Sequence, residues 1–198
     1  LLGFPDSGKS WLAWDMALAV ATGTPWLGFP TTRGRVLYMD EDTPGQVEVK
    51  RRIIRLLMGR GLSPTSPLDV AITHQIGFSL TDHDKMHLLN NTLGVLSPKL
   101  VIMDSLVKVL GVEEENDAIA MAGALKALNP LIKEHRCAFL LIDHRRKGSS
   151  GTQVEWARGS GAKVAEVDRM LAIDDHTISI AKSRIAVPMD PFGFDIKD

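Results

Sequence analysis

The residues best suited to chemistry stand near the start of the chain, in the stretch GFPDSGKS at positions 3–10. It follows the pattern G-x-x-x-x-G-K-S, in which backbone N–H groups and a following helix N-terminus cradle phosphates. Lys9 would reach the β- and γ-phosphates, and the Ser10 hydroxyl would bind Mg²⁺. The alternative is a Gly/Ser turn that only caps a helix, but the pattern is rare by chance and precedes an amphipathic stretch. We therefore predict a nucleotide site formed by the loop and the helix start: Gly3, Pro5, Asp6, Ser7, Gly8, Lys9, Ser10 and Trp11.

Carboxylates end two apolar stretches further along the chain. LVIMDS (100–105) ends in Asp104, which can hold Mg²⁺ through water or, alternatively, serve as a helix cap. VLYMDEDTP (36–44) ends in three consecutive acids, and hydrolysis needs one carboxylate that polarises the attacking water. The sequence favours Glu41 for that task, with Asp42 as the alternative. The remaining acids then belong to a solvated turn before the next helix.

A histidine follows a third apolar stretch, in LLIDHRRKG (140–148). His144 can sense the γ-phosphate or pass the nucleotide state to the basic loop beyond it. The alternative is a structural histidine at a strand end.

Apolar and amphipathic stretches alternate along the chain. The predicted strands are 35–40, 68–73, 99–104 and 137–144. The predicted helices are 11–23, 44–61, 82–96 and 117–136, the last kinked or interrupted at Pro130. Uniformly apolar strands between helices indicate a parallel sheet covered on both faces. Further strands at 167–174, 177–184 and 192–198, with a hairpin at 174–176, predict an antiparallel extension.

Composition limits the classes of protein. The chain has 198 residues, is 44% hydrophobic and carries a formal net charge of -1, which fits one domain over 1–198. That charge indicates no global attraction to a nucleic acid or a membrane, although a local basic patch can still bind DNA. The single cysteine, Cys137, fits a reducing cytoplasm. No apolar run reaches the roughly 20 residues that cross a bilayer, so we expect no membrane partner. Since a phosphate loop normally follows a whole strand, we expect a truncated N-terminus with the first strand largely missing.

The motifs and their order resemble the RecA-like P-loop ATPases. The stretches are GFPDSGKS, VLYMDEDTP, LVIMDS, LLIDHRRKG, ARGSGAKVAEVD and IAKSR. Within that superfamily they are most similar to an AAA-domain branch containing the RepA-type hexameric replicative helicases. The resemblance spans essentially the whole chain. It implies an α/β RecA-like fold, ATP and Mg²⁺ as cofactors, a homo-oligomeric hexameric ring and single-stranded DNA as partner. A RecA- or RadA-like recombination ATPase and a KaiC-like regulatory ATPase remain the alternatives.

The resemblance also implies roles for single residues. The residues implied in catalysis are Lys9, Glu41 or Asp42, Asp104, His144, Lys182 and Arg184. Lys182 and Arg184, in KSR, match the lysine and arginine finger that reach the ATP of the neighbouring subunit. The alternative for them is a pair of ordinary strand cations.

A basic segment matches the loop that faces DNA in the family. It covers 145–157, and the candidate DNA contacts are Arg145, Arg146, Lys147 and the nearby Arg158. Trp156 can stack on a base or pack inside the protein. This segment departs from the family pattern because it has no dense basic stripe.

Overall fold

A computed structural model describes residues 1–111, 118–145, 161–184 and 189–196. The strands are β1 (Leu2–Gly3), β2 (Val36–Asp40), β3 (Val70–His74), β4 (Leu100–Asp104), β5 (Ala138–His144), β6 (Arg169–Asp174), β7 (Thr177–Ser183) and β8 (Phe192–Gly193). The helices are α1 (Lys9–Thr22), α2 (Gln46–Gly59), α3 (His83–Leu96), α4 (Leu106–Leu110), α5 (Ala118–Lys126), α6 (Leu128–His135) and α7 (Gly161–Glu166).

The described strands form one sheet, in the order β3-β2-β4-β5-β1-β6-β7-β8. Neighbours from β3 to β6 pair in parallel, and β7 and β8 continue the sheet antiparallel. The carboxyl ends of the parallel strands therefore share one edge. In the register, Asp40 lies opposite Asp104, and Gly3 lies opposite His144. The sheet thus brings the predicted phosphate loop and the acidic strand ends to the same side of the molecule.

The two central strands are apolar because helices cover both of their faces. All five residues of β2 and all five of β4 are buried. One face packs against α1 and α2 through a cluster that includes Trp14, Ala17, Tyr38, Val49 and Ile102. The other face packs against α3–α6 through a cluster that includes Met39, Leu93, Met103, Leu125 and Leu131. This two-sided burial explains why these strands show no polar alternation.

The helix predicted over 117–136 is interrupted, as Pro130 allowed. It consists of α5 and α6, which are separated at Ala127. Pro130 lies in the first turn of α6, where a proline's missing N–H removes no helical hydrogen bond.

The C-terminal part contains one confirmed prediction and one that was wrong. The hairpin is confirmed: β6 and β7 pair antiparallel, and Asp175 and His176 turn the chain with positive φ values of 41° and 57°. The strand predicted over 192–198 is only Phe192–Gly193 within the described residues. The chain leaves the sheet there because Phe194 turns inward and packs in a cluster with Leu12 and Trp26.

Two further findings concern the environment of the chain. Cys137 is a free, buried thiol. Among the helices of the described ranges, none combines the length and apolarity that a membrane crossing requires.

Arg60 ties the end of α2 to α1. Its Nε donates to Asp15 Oδ1 at 2.7 Å and its Nη1 to Thr24 Oγ1 at 2.8 Å, and its side chain is 15% exposed. We expect Arg60→Leu to lower the free energy of unfolding by about 2–3 kcal/mol, because a half-buried carboxylate loses its partner. Urea denaturation followed by circular dichroism measures this.

The exposed ion pair of Arg35 provides the matched control. Arg35 Nε lies 2.5 Å from Asp69 Oδ1, but the two side chains are 40% and 46% exposed. Arg35→Leu should therefore cost less than about 1 kcal/mol. Equal losses for the two variants would contradict a specific role for Arg60 in joining the helices.

Candidate functional site

The phosphate loop connects β1 to α1, at the carboxyl edge of the sheet. Gly8 has φ 84° and precedes the first residue of α1, Lys9. A side chain at Gly8 would be strained at this φ and would meet Ile196 Cδ1 at 2.8 Å. Glycine at this position therefore has a steric reason, as the sequence pattern requires. The loop leads directly into a helix N-terminus, which favours a bound anion.

Lys9 is a buried cation inside this loop. It is 4% exposed, and its Nζ donates to the Phe4 carbonyl and, at 3.5 Å, to Ser7 Oγ. Burial lowers the pKa of Lys9, while the charge of Asp104 acts in the opposite direction. A buried ammonium that donates to neutral oxygens is suited to receive the charge of a phosphate.

Asp104 lies beside the start of α1. It is 1% exposed, and its Oδ2 accepts a hydrogen bond from the Tyr38 hydroxyl at 3.0 Å. Burial raises the pKa of Asp104, and a hydrogen bond from the Ser10 side chain opposes that effect. The structure thus brings together Ser10 and Asp104, the two residues predicted to hold Mg²⁺.

The donor set fits a cation that a nucleotide helps to hold. Within the described ranges, no group of three or more His, Cys, Asp or Glu side chains could bind a metal alone. Ser10 and Asp104 offer a hydroxyl and a carboxylate, the oxygen ligands that Mg²⁺ prefers, and phosphates usually complete such a shell. Asp40 lies next to them in the register, and its fully buried Oδ2 has no hydrogen-bond partner. These residues therefore fit Mg²⁺ bound together with a nucleotide.

The acidic turn after β2 gives its two candidate carboxylates different neighbours. Glu41 accepts hydrogen bonds from the backbone N–H groups of Ile76 and Gly77, at 3.2 and 2.9 Å, and so holds the loop after β3. Asp42 lies 3.5 Å from His144 Nε2, measured from its Oδ2. The charge of Asp42 also acts on Lys9.

Asp40 shapes this turn, which the sequence analysis missed. Its Oδ1 accepts from the backbone N–H groups of Asp42 and Thr43, at 3.2 and 2.9 Å. The signal was present in the sequence, since Asp40 ends an apolar strand in the same way as Asp104.

A second missed residue pair joins β5 to α7. Lys163 Nζ donates to Asp143 Oδ2 at 2.9 Å, and the two side chains are 12% and 11% exposed. The other oxygen of Asp143 accepts from the His144 backbone N–H at 3.0 Å. The residue before His144 is therefore bonded to the helix that follows the undescribed stretch 146–160.

The candidate DNA contacts are described only in part. Arg145 is 10% exposed, its guanidinium carbon lies 4.2 Å from the centre of the Phe4 ring, and its Nη1 lies 3.8 Å from Asp174 Oδ1. Its backbone N–H also donates to the Gly3 carbonyl at 2.9 Å. Arg145 thus packs against the phosphate loop. The remaining candidates lie outside the described residues: Arg146, Lys147, Trp156 and Arg158.

The two candidate finger residues contact α7. Lys182 Nζ donates to the Val167 carbonyl at 2.9 Å, just beyond the end of that helix. Arg184 donates to the Ala165 carbonyl, and its Nη1 lies 3.5 Å from Asp168 Oδ1. Burial lowers the pKa of Lys182, and the neighbouring Arg184 charge adds to this effect. Both cations are therefore bonded to this chain's own helix.

A cleft of about 540 Å³ opens beside Trp11. Its apolar wall includes Trp11, Leu12, Leu27, Leu56, Phe194 and Ile196, and Arg55 and Asp195 add charge. Since Trp11 follows Ser10 directly, the cleft adjoins the phosphate loop. Its volume is typical of small-molecule sites.

Comparison with known proteins agrees with this geometry. The AAA domain family matches residues 1–150. Among solved structures, the ATPase domain of a helicase superposes with a TM-score of 0.70 at 14% identity, over 96% of this chain and 78% of that one. No curated protein matches. The structural likeness confirms the predicted RecA-like P-loop fold, with a mainly parallel sheet and antiparallel C-terminal strands.

The family match extends from the phosphate loop through β5 and so includes every strand end that lines the nucleotide site. Since it also covers most of the 198 residues, the chain belongs to the AAA domain family.

Proposed function

We propose that this AAA-type ATPase domain hydrolyses ATP with Mg²⁺ in a hexameric ring that moves along single-stranded DNA as a helicase. The observation that carries the proposal is the 3.5 Å contact between His144 Nε2 and Asp42 Oδ2. It joins the acidic turn at the nucleotide site to the strand that leads into the basic segment 145–157. A change at the γ-phosphate can therefore reach that segment through two neighbouring side chains.

Within the site, each role follows from charge and position. Lys9 neutralises phosphate oxygens, because its buried ammonium gains an anionic partner there. Ser10 holds the cation through its hydroxyl and Asp104 through water, while Mg²⁺ supplies charge neutralisation between the β- and γ-phosphates. Glu41 or Asp42 polarises the attacking water. The cleft beside Trp11 takes the nucleoside.

The connection to DNA runs through the end of β5. Arg145 packs on Phe4 of the phosphate loop and is mostly buried, so we assign it to the link between loop and segment. Contacts to DNA phosphates then fall to the three other basic residues: Arg146, Lys147 and Arg158. Such contacts release counterions from DNA, which makes binding sensitive to salt.

Assembly supplies the last part of the site. Arg184 reaches the ATP of the neighbouring subunit once it exchanges its bonds to Ala165 and Asp168 for phosphate oxygens. A cation supplied in this way stabilises charge in the transition state of phosphoryl transfer. Hydrolysis therefore depends on formation of the ring.

Steady-state ATP hydrolysis with and without single-stranded DNA tests this function. We expect DNA to stimulate hydrolysis severalfold, because DNA in the channel favours the arrangement in which His144 and the acidic turn are set for catalysis. The stimulation should fall steeply between about 50 and 200 mM salt, as phosphate contacts weaken. Lys9→Ala serves as the blank and should reduce hydrolysis to background.

The other outcomes favour other functions. Hydrolysis that is indifferent to DNA would contradict the helicase and favour a KaiC-like regulatory ATPase. Stimulation by DNA without unwinding of a forked duplex would favour a RecA- or RadA-like recombination ATPase, in which ATP maintains an assembly on DNA.

A further inference from the structure

We propose that Tyr38 is the positioning residue of the magnesium site, holding Asp104 in place through its hydroxyl. The inference rests on the proposed function, since it assigns Asp104 to the cation bound with ATP. Tyr38 lies in the middle of β2 and is fully buried. Its hydroxyl donates to Asp104 Oδ2 at 3.0 Å, across the boundary between β2 and β4. It does not contact the nucleotide in this proposal and acts only through Asp104.

The ring of Tyr38 is itself fixed from the other side. Trp14 stacks on it with ring centres 3.7 Å apart and planes inclined by 2°. Trp14 is fully buried on α1, one turn after Ser10. One pair of rings therefore sets the helix that carries Ser10 against the strand that carries Asp104. The two proposed cation-binding residues thus share a single rigid support.

Asp104 needs such support because its surroundings disfavour a fixed, charged carboxylate. It is almost completely buried, and the Asp40 carboxylate on the neighbouring strand repels it. Donors from Ser10 and Tyr38 offset this, and both favour the ionised form. When the Ser10 hydroxyl turns to the cation, the Tyr38 hydroxyl keeps Asp104 oriented. Groups that orient a ligand in this way typically affect metal affinity strongly.

Tyr38→Phe removes only the hydroxyl and keeps the stacked ring. We expect the affinity for a fluorescent, non-hydrolysable ATP analogue in EDTA to stay within about twofold of the wild type, because the phosphate loop is unchanged. The gain in affinity on adding Mg²⁺ should fall by about 10-fold or more. An unchanged gain would overturn the inference.

Ser179→Ala is the matched control for loss of a buried hydroxyl. Ser179 is buried on β7 and donates to the Ala172 carbonyl at 3.4 Å, away from the phosphate loop. This variant should lose some stability and keep the full Mg²⁺ gain. If Tyr38→Phe does not fold, Trp14→Phe provides the second test. It keeps the hydroxyl but loosens the ring, and should reduce the Mg²⁺ gain by less, in the same direction.

Asp104→Asn separates failure of the inference from failure of the proposed function. If Asp104→Asn leaves the Mg²⁺ gain intact, the metal role of Asp104 is wrong and the inference falls with it. If Asp104→Asn abolishes the gain and Tyr38→Phe does not change it, the inference alone is wrong. In the double variant, Tyr38→Phe should cause no further loss, because its effect passes through Asp104.

Discussion

Arg184→Ala is expected to reduce ATP hydrolysis by the assembled protein by about 1,000-fold or more, equivalent to about 4 kcal/mol of transition-state stabilisation. The physical reason is the loss of a cation that compensates charge on the transferred phosphoryl group. Binding of ATP should remain near the wild-type affinity, because Lys9 and Ser10 of the same subunit are unchanged. Steady-state hydrolysis and equilibrium binding of a fluorescent ATP analogue measure the two quantities.

Mixing two inactive variants shows whether Arg184 acts in trans. Arg184→Ala subunits keep an intact phosphate loop, and Lys9→Ala subunits keep an intact arginine. In randomly mixed rings, about a quarter of the interfaces combine the two intact halves, so up to about a quarter of the activity should return. Arg169→Ala, which changes an exposed arginine on the neighbouring strand β6, should hydrolyse ATP normally. Failure of the mixture to recover activity would contradict the role in trans.

Replacing the catalytic acid should lower hydrolysis by about 100-fold or more while nucleotide affinity stays within about threefold. Asp42→Asn and Glu41→Gln test the two candidates under the same conditions. The sequence favours Glu41, whereas the contact of Asp42 with His144 and its influence on Lys9 favour Asp42. Each substitution removes charge and nearly preserves shape, so rapid-quench measurement of a single turnover reports the chemical step.

The acid that is not catalytic has a different signature. Glu41→Gln would weaken the anchoring of Ile76 and Gly77, because a neutral amide accepts hydrogen bonds less strongly than a carboxylate. That effect appears as lower thermal stability with only a modest change in rate. Large kinetic losses in both variants, or in neither, would contradict the assignment of one catalytic acid to this turn.

The sequence predicted the central elements closely because their signals are local. The runs VLYMD and LVIMD are uniformly apolar and end in acids, so their bounds were predicted within one residue. The short helices α4 and α7 were missed because five and six residues show too little periodicity. The strand expected over 192–198 was too long because alternation alone does not reveal that Phe194 packs in the core.

The candidate site divides in the same way. The phosphate loop is contiguous, so its pattern alone indicated its chemistry. The bond between Tyr38 and Asp104 joins residues 66 positions apart, and the pair of Asp143 and Lys163 spans 20. Such contacts depend on strand order and helix packing, which no local pattern encodes. They became visible only once β2, β4 and β5 lay side by side.

The anchoring of α7 at both ends has a thermodynamic consequence. Lys163 bonds the helix to Asp143 beside the subunit's own nucleotide, while Lys182 and Arg184 bond its last turn to the strand that serves the next subunit. Linkage between two binding equilibria is reciprocal. If ATP in one subunit changes how readily its Arg184 engages the neighbour, that engagement changes the first subunit's ATP affinity by the same factor. A six-residue helix would then suffice to make occupancy around a ring cooperative rather than independent.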